Sequence, residues 1–316
     1  MSKYVFGVDI GGTTVKLGLF TEAGDLMEKW EIPTVTADHG ERIVPDVADS
    51  IKAKMAEKSI AKDDVIGIGI GAPGATDEDG VMTGGAVNLG WGVFNLRTTL
   101  EELTGGIKVK AANDANVAAY GEAWKGGGKG CKNMVAVTLG TGVGGGIIVG
   151  GKIVTGANGA GGEIGHIHIE DDETEKCNCG HEGCLEQYAS ATGVVRLAKR
   201  RLAKDDKPSS LRNVELSAKE VFDAVRAGDA VAIEIAERFG YYLGKGLAAV
   251  ANVVNPEIIL IGGGVSKAGD LLIPYIEPVF RKYVFPPCKN VEFKLAELGN
   301  DAGIYGSAGL ILGAMD

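Results

Sequence analysis

The chain has 316 residues, 45% of them hydrophobic, which is enough for one or two packed cores. Its 32 basic and 42 acidic side chains leave a formal charge of −10, which argues against a general nucleic-acid binder and for a soluble cytoplasmic protein. Fifty glycines are roughly twice the average share of about 7%, yet they lie between apolar runs without a three-residue period, so collagen and disorder are both excluded.

Residues 4–10 form an apolar run of strand length, too short and too interrupted by Asp9 for a secretory leader. Gly11, Gly12, Thr13 and Thr14 join it as a tight hairpin to a second strand at 15–20, and a third follows at 26–32. Helical spacing of Ile43, Val47, Ile51 and Met55 predicts a helix over 41–58. A buried strand at 65–71 ends in Ala72-Pro73-Gly74. A short helix at 96–103, a strand at 107–112 and a helix from the cap Asn113-Asp114 to about Trp124 come next. The opening theme then returns: strand 134–139, glycine turn 140–145, strand 146–149 and a short strand at 152–154. Strand–glycine hairpin–strand at 4–20 and again at 134–149 predicts an internal duplication. Beyond Leu185 the pattern is mostly helical, with a polar linker at 205–210 and a long helix at 230–254 stopped by Pro256. A strand at 257–261 runs into Gly262-Gly263-Gly264, and a last helix is expected at 301–312. Alternating strands and helices in two similar halves make the chain α/β. The nineteen uncharged residues 133–151 read as strand, turn and strand, and no membrane span is expected.

Three strand ends run into glycines, at Gly11, Gly140 and Gly262. Glycines let backbone N–H groups approach phosphate oxygens, threonine hydroxyls add donors, and an acid beside phosphates calls for a divalent cation. Gly140-Thr141-Gly142-Val143-Gly144-Gly145 spells G-x-G-x-x-G, but a strand and turn follow it where a dinucleotide fold needs a helix. No G-x-x-x-x-G-K-[ST] loop occurs. Three such loops suggest a nucleotide held between two domains. Lys16 is placed to touch phosphate, although a surface lysine on a strand needs no such role.

Of the five cysteines, Cys177, Cys179 and Cys184 fall at C-x-C-x₄-C spacing, which points to metal before disulfide. Three thiolates and one imidazole make a closed, structural zinc site. His166, His168 and His181 compete for the fourth place. On a strand His166 and His168 would share a face, and spacing alone does not choose.

Together these motifs resemble the ROK family of sugar kinases and sugar-responsive repressors, over essentially the whole chain. Asp9-Ile10-Gly11-Gly12-Thr13 is similar to its first phosphate motif, Leu139-Gly140-Thr141-Gly142 to its second, and Gly262-Gly263-Gly264 to its adenosine motif. Glu163-Ile164-Gly165-His166 and the cysteine run ending in Glu186 resemble its signature. Val87-Asn88-Leu89-Gly90-Trp91 and Leu298-Gly299-Asn300-Asp301-Ala302-Gly303 resemble a glucose-phosphorylating branch in Gram-positive bacteria.

The resemblance implies a two-domain actin/hexokinase-like (ribonuclease H-like, duplicated) fold. A small domain at 1–117, completed by the helix 302–316, is expected beside a large one at 118–301 carrying the zinc loop 166–186. It implies ATP-dependent transfer to glucose with Mg²⁺, Asp114 as catalytic base, and Gly74, Asn88, Asn113, Asp114, Glu163, His166 and Glu186 around the sugar. It selects His166 as the fourth zinc ligand, and it implies a homodimer without nucleic-acid or membrane partners. Rival expectations are a kinase for fructose, mannose or N-acetylmannosamine, and a sugar-sensing regulator without catalysis. Asp114, and a first strand at residue 4 that leaves no room for a helix-turn-helix, speak against the regulator.

Overall fold

The computed structural model describes residues 2–315. In chain order the strands and helices begin with β1 (Tyr4–Ile10), β2 (Thr14–Thr21), β3 (Leu26–Pro33), α1 (Ile43–Glu57) and β4 (Val65–Ala72). The two-residue strands β5 (Val81–Met82) and β6 (Phe94–Asn95) precede α2 (Leu96–Leu103), β7 (Val109–Asn113) and α3 (Asp114–Lys125). Then come β8 (Met134–Leu139), β9 (Val143–Val149) and β10 (Lys152–Ile153). Helices α4 (Glu186–Ala189), α5 (Ala191–Leu202), α6 (Ala218–Arg226) and α7 (Ala230–Val254) follow. The chain closes with β11 (Ile258–Gly262), α8 (Ile273–Tyr283), β12 (Glu292–Leu295) and α9 (Ala302–Leu312). Sequence reading missed α8 and β12, and it began β7 two residues early. Helix α8 carries Pro278 in its interior and β12 has only four residues, so neither shows a clean period.

The first sheet has the order β3-β2-β1-β4-β7 and the second β10-β9-β8-β11-β12. Numbered within each half, both read 3-2-1-4-5, the arrangement a duplicated α/β unit produces. β1 is antiparallel to β2 and parallel to β4, and β4 is parallel to β7. In the second sheet β11 is likewise parallel to β8 and β12.

The chain divides into two units: residues 1–132, 146–162 and 297–316 in the first, 133–145 and 163–296 in the second. The first unit is therefore larger than the expected 1–117 plus 302–316. The reason is packing. Helix α3 lies whole against α9 at glycines: a Cβ on Gly121 would strike the Ala302 carbonyl, and one on Gly306 the Val117 carbonyl. Buried Glu122 on α3 extends this grip, accepting Gly127 N–H (2.9 Å), Glu297 N–H (3.1 Å) and Leu298 N–H (2.7 Å). Phe6, Val8 and Ile10 face a core shared with α1 and α2, whereas Val5 faces Ile304 and Ala308 of α9. Asp9 shares the α9 face by strand alternation.

In the second unit α7 starts at Asp229, which accepts the Val231 and Ala232 N–H groups, and stops at Asn255 in the left-handed conformation. Phe239, Leu243 and Leu247 of α7 are fully buried, as are Ile259, Leu260 and Ile261 of β11.

Candidate active site

In the first unit the chemistry gathers at the ends of β1 and β7. Asp9 is the penultimate residue of β1, opposite Lys16 on β2. It is so close to α9 that a Cβ on Gly303 would sit 2.5 Å from Asp9 Oδ2. Burial first, and then the neighbouring Asp114 charge, push its carboxyl up to about 6, with Lys16 pulling against both. Lys16 itself donates to the Asn300 carbonyl at 3.1 Å. The hairpin after Asp9 is closed by Gly11 N–H to the Thr14 carbonyl at 3.0 Å, leaving Gly12 and Thr13 exposed.

Asp114 is the first residue of α3, but the cap is Asn113, whose side chain accepts Ala115 N–H at 2.9 Å and Asn116 N–H at 3.1 Å. The capping role weighed for Asp114 is thus filled by its neighbour. One Asp114 oxygen accepts Ala115 N–H at 2.8 Å, and burial raises its carboxyl above the ordinary value. Asn113 Nδ2 also donates to the Gly74 carbonyl at 3.2 Å, so the cap joins the end of β4 to the end of β7. Exposed Asn88 projects beside the glycine hairpin: a Cβ on Gly12 would lie 3.6 Å from its Nδ2.

A carboxylate pair raised by burial relates stability to pH. Asp9, protonated in both folded and unfolded states below its usual 3.8, costs nothing there; above about pH 6 keeping it ionised in the fold costs up to about 3 kcal/mol. Asp9→Asn is therefore expected to raise the Tm of the nucleotide-free protein at pH 8 and leave it unchanged near pH 3.5. Equal shifts at both pH values would reject this account.

In the second unit Gly140, Thr141 and Gly142 form the turn after β8. The N-terminus of α5 holds them, through Ala191 N–H to the Gly140 carbonyl (2.8 Å) and Thr192 Oγ1 to the Thr141 carbonyl (2.8 Å). Thr192 went unmarked in the sequence because no motif distinguishes it. Gly263, at φ +85°, brings the loop after β11 against the same turn, where any Cβ would lie 2.6 Å from the Leu139 backbone. Beside Gly264 a cavity of about 340 Å³ is lined by Phe222, Arg226, Val265 and Lys267, again without a sequence signal.

Cys177, Cys179, Cys184 and His166 converge, each offering one ligand atom within 4.8 Å of the others. Cys179 and Cys184 sulfurs are 3.6 Å apart, and His166 Nδ1 is 3.7 Å from Cys177 Sγ. A zinc tetrahedron with Zn–S near 2.3 Å has edges of roughly 3.8 Å, so the donor set fits that ion. Burial pushes the Cys177 and Cys184 thiols up, while the His181 N–H brings Cys179 down to about 6. His166 and His168 do not lie on a common strand. Ile164–His166 is a 3₁₀ turn, which breaks the two-residue alternation. His168 is committed elsewhere, with its ring nitrogens on the Glu182 carbonyl (3.0 Å) and Asp171 (2.8 Å). His181 comes to 3.6 Å of Cys179 but stands outside the four-residue cluster.

Glu186, at the start of α4, accepts the Cys177 thiol at 2.8 Å, and its other oxygen accepts Val143 N–H at 3.4 Å beside Gly142. His166 stands between Glu186 and Glu163, 3.9 Å and 4.0 Å away. Each unit thus presents a glycine turn together with carboxylates.

Two sheets of one order, with glycine turns at the ends of β1 and β8, belong to the actin/hexokinase-like fold. The chain matches the ROK family over residues 5–314 and is a member of that family. It is 47% identical to the glucokinase of Halalkalibacterium halodurans, over 98% of this chain and 95% of that protein. A crystal structure of a ROK family glucokinase from Streptomyces griseus in complex with glucose and AMPPNP is 35% identical, with a TM-score of 0.73 over 97% of this chain and 98% of the other. The xylose repressor of Caldicellulosiruptor bescii is 27% identical, over 98% of this chain and 78% of its own length. No helix among the described residues is long and apolar enough to cross a membrane.

Proposed function

We propose that this ATP-dependent hexose kinase transfers the γ-phosphoryl group of ATP to the 6-hydroxyl of glucose, with Asp114 accepting the hydroxyl proton. The observation that carries the reading is the Asn113–Asp114 junction. Asn113 takes over the cap and leaves Asp114 a desolvated carboxylate, a stronger base than an exposed one. The named glucokinases at 47% and 35% identity support glucose as the acceptor and ATP as the donor.

Phosphoryl transfer asks the protein chiefly for positioning and charge stabilisation. Gly11, Gly12, Thr13, Thr14, Gly140, Thr141 and Gly142 supply N–H and hydroxyl donors to phosphate oxygens, with Lys16 as a nearby cation. Gly262, Gly263 and Gly264 approach the adenosine, and the cavity of about 340 Å³ beside them suits a nucleobase. Asp9 would hold Mg²⁺, which supplies charge neutralisation to the phosphates when bound; a carboxylate raised in part by a neighbouring carboxylate is a donor a divalent cation relieves. Asn88, Asn113, Glu163, His166 and Glu186 read the sugar hydroxyls. Gly74 adds its N–H, its carbonyl already being taken by Asn113. His166, Cys177, Cys179 and Cys184 would bind zinc structurally, turning the second nitrogen of His166 towards Glu163. The kinase works in the cytoplasm as a homodimer.

An ATP-coupled assay across glucose, mannose, fructose and N-acetylmannosamine tests the reading. Glucose is expected to give the highest kcat/KM, and no turnover with any hexose would overturn it.

A further inference from the structure

One motif is not used by the chemistry above: the Trp91 that ends Val87-Asn88-Leu89-Gly90-Trp91. Asn88 sits at the tip of a loop closed by reciprocal backbone bonds between Ala86 and Trp91, both 3.0 Å. Leu89 anchors the loop in the core, while Val87 and Asn88 stand in solvent, Val87 at 94% exposure. Such a tip has no packing of its own to fix its direction. What holds it is a second loop far away in sequence. The Trp91 indole, buried and edge-on to Phe94, donates its N–H to the Gly40 carbonyl at 3.1 Å. Gly40 closes a turn in which Asp38, His39 and Gly40 all have positive φ, of 50°, 58° and 67°. Two consecutive non-glycine residues in that region persist only where surrounding contacts impose it. Here the contacts are mutual: Gly90, also left-handed, lies so close that a Cβ on it would be 2.8 Å from the His39 Cα.

We propose that Trp91 is a positioning residue for sugar recognition. Through its bond to the Gly40 carbonyl it clamps the Asn88 loop against the strained 38–40 turn and so presents Asn88 to the substrate. The inference rests on the reading that Asn88 contacts the sugar. No proton or group moves through Trp91, so its effect falls on sugar affinity and spares the nucleotide.

The test uses the full chain and three variants: Trp91→Phe, which keeps an aromatic ring of smaller size and removes the donor, Asn88→Ala, and the double variant. Trp91→Phe is expected to raise the KM for glucose roughly three- to tenfold, the worth of one neutral hydrogen bond, with the KM for ATP within twofold. The double variant is expected to match Asn88→Ala, because Trp91 acts through Asn88. An unchanged glucose KM in Asn88→Ala would overturn the sugar role of Asn88 and the inference with it. A raised KM in Asn88→Ala beside a normal one in Trp91→Phe would overturn the inference alone. A lower Tm in Trp91→Phe with both KM values unchanged would reduce Trp91 to packing and overturn it equally.

Discussion

Asp114→Asn is expected to lower kcat by about 10²–10⁴-fold while leaving the KM for glucose near its original value, because the amide keeps the shape of the carboxylate and loses its charge and basicity. The fold should not suffer. Asn113 caps α3, and an amide oxygen can still accept Ala115 N–H. Burial raises the Asp114 carboxyl, so its ionised form is the costly one in the folded state, and removing the charge should hold or slightly raise the Tm at neutral pH. The same shift sets the pH profile of the unaltered enzyme. The base must be ionised, and its value lies above the ordinary 3.8, so kcat/KM should begin to fall at a pH above that of an exposed aspartate as the solution is acidified. Steady-state rates from pH 4 to 9 and thermal melting of both proteins check these expectations. A variant of near-normal rate and lowered Tm would leave Asp114 a structural residue only.

The second large effect is expected from the metal. Elemental analysis of purified protein should find one zinc per chain, bound by His166, Cys177, Cys179 and Cys184. Structural zinc contributes on the order of 10–16 kcal/mol to the folding of small sites, far more than three thiols and a ring could contribute by packing. Stripping it should open the 166–186 segment to proteolysis while the rest of the chain stays protected. His166→Ala should weaken glucose affinity by about tenfold or more and change nucleotide affinity little, since His166 stands beside Glu163 and Glu186. Zinc well below one equivalent in an active preparation would refute the site. Unchanged sugar affinity in His166→Ala would separate the metal from sugar recognition.

Local chemistry was legible in the sequence wherever a residue and its near neighbours decide the outcome. The hairpin at Gly11–Thr14, the helix begun at Asn113, the 25-residue α7 with its stop before Pro256, and the repeat of strand, glycine turn and strand all follow from period, cap and turn preferences acting over a few residues. So did the cysteine spacing, because three sulfurs within eight residues can converge on any backbone that turns tightly. Contacts between distant segments were not legible. Which histidine joins the sulfurs depends on a 3₁₀ turn at 164–166 that strand alternation does not anticipate. The reach of the first unit depends on α3 meeting α9 at Gly121 and Gly306, across nearly two hundred residues of chain. The shift at Asp9 arises because Gly303, lacking a side chain, lets α9 close over a carboxylate already beside Asp114. Burial and electrostatics act through space, and only the folded chain sets which groups lie a few ångströms apart.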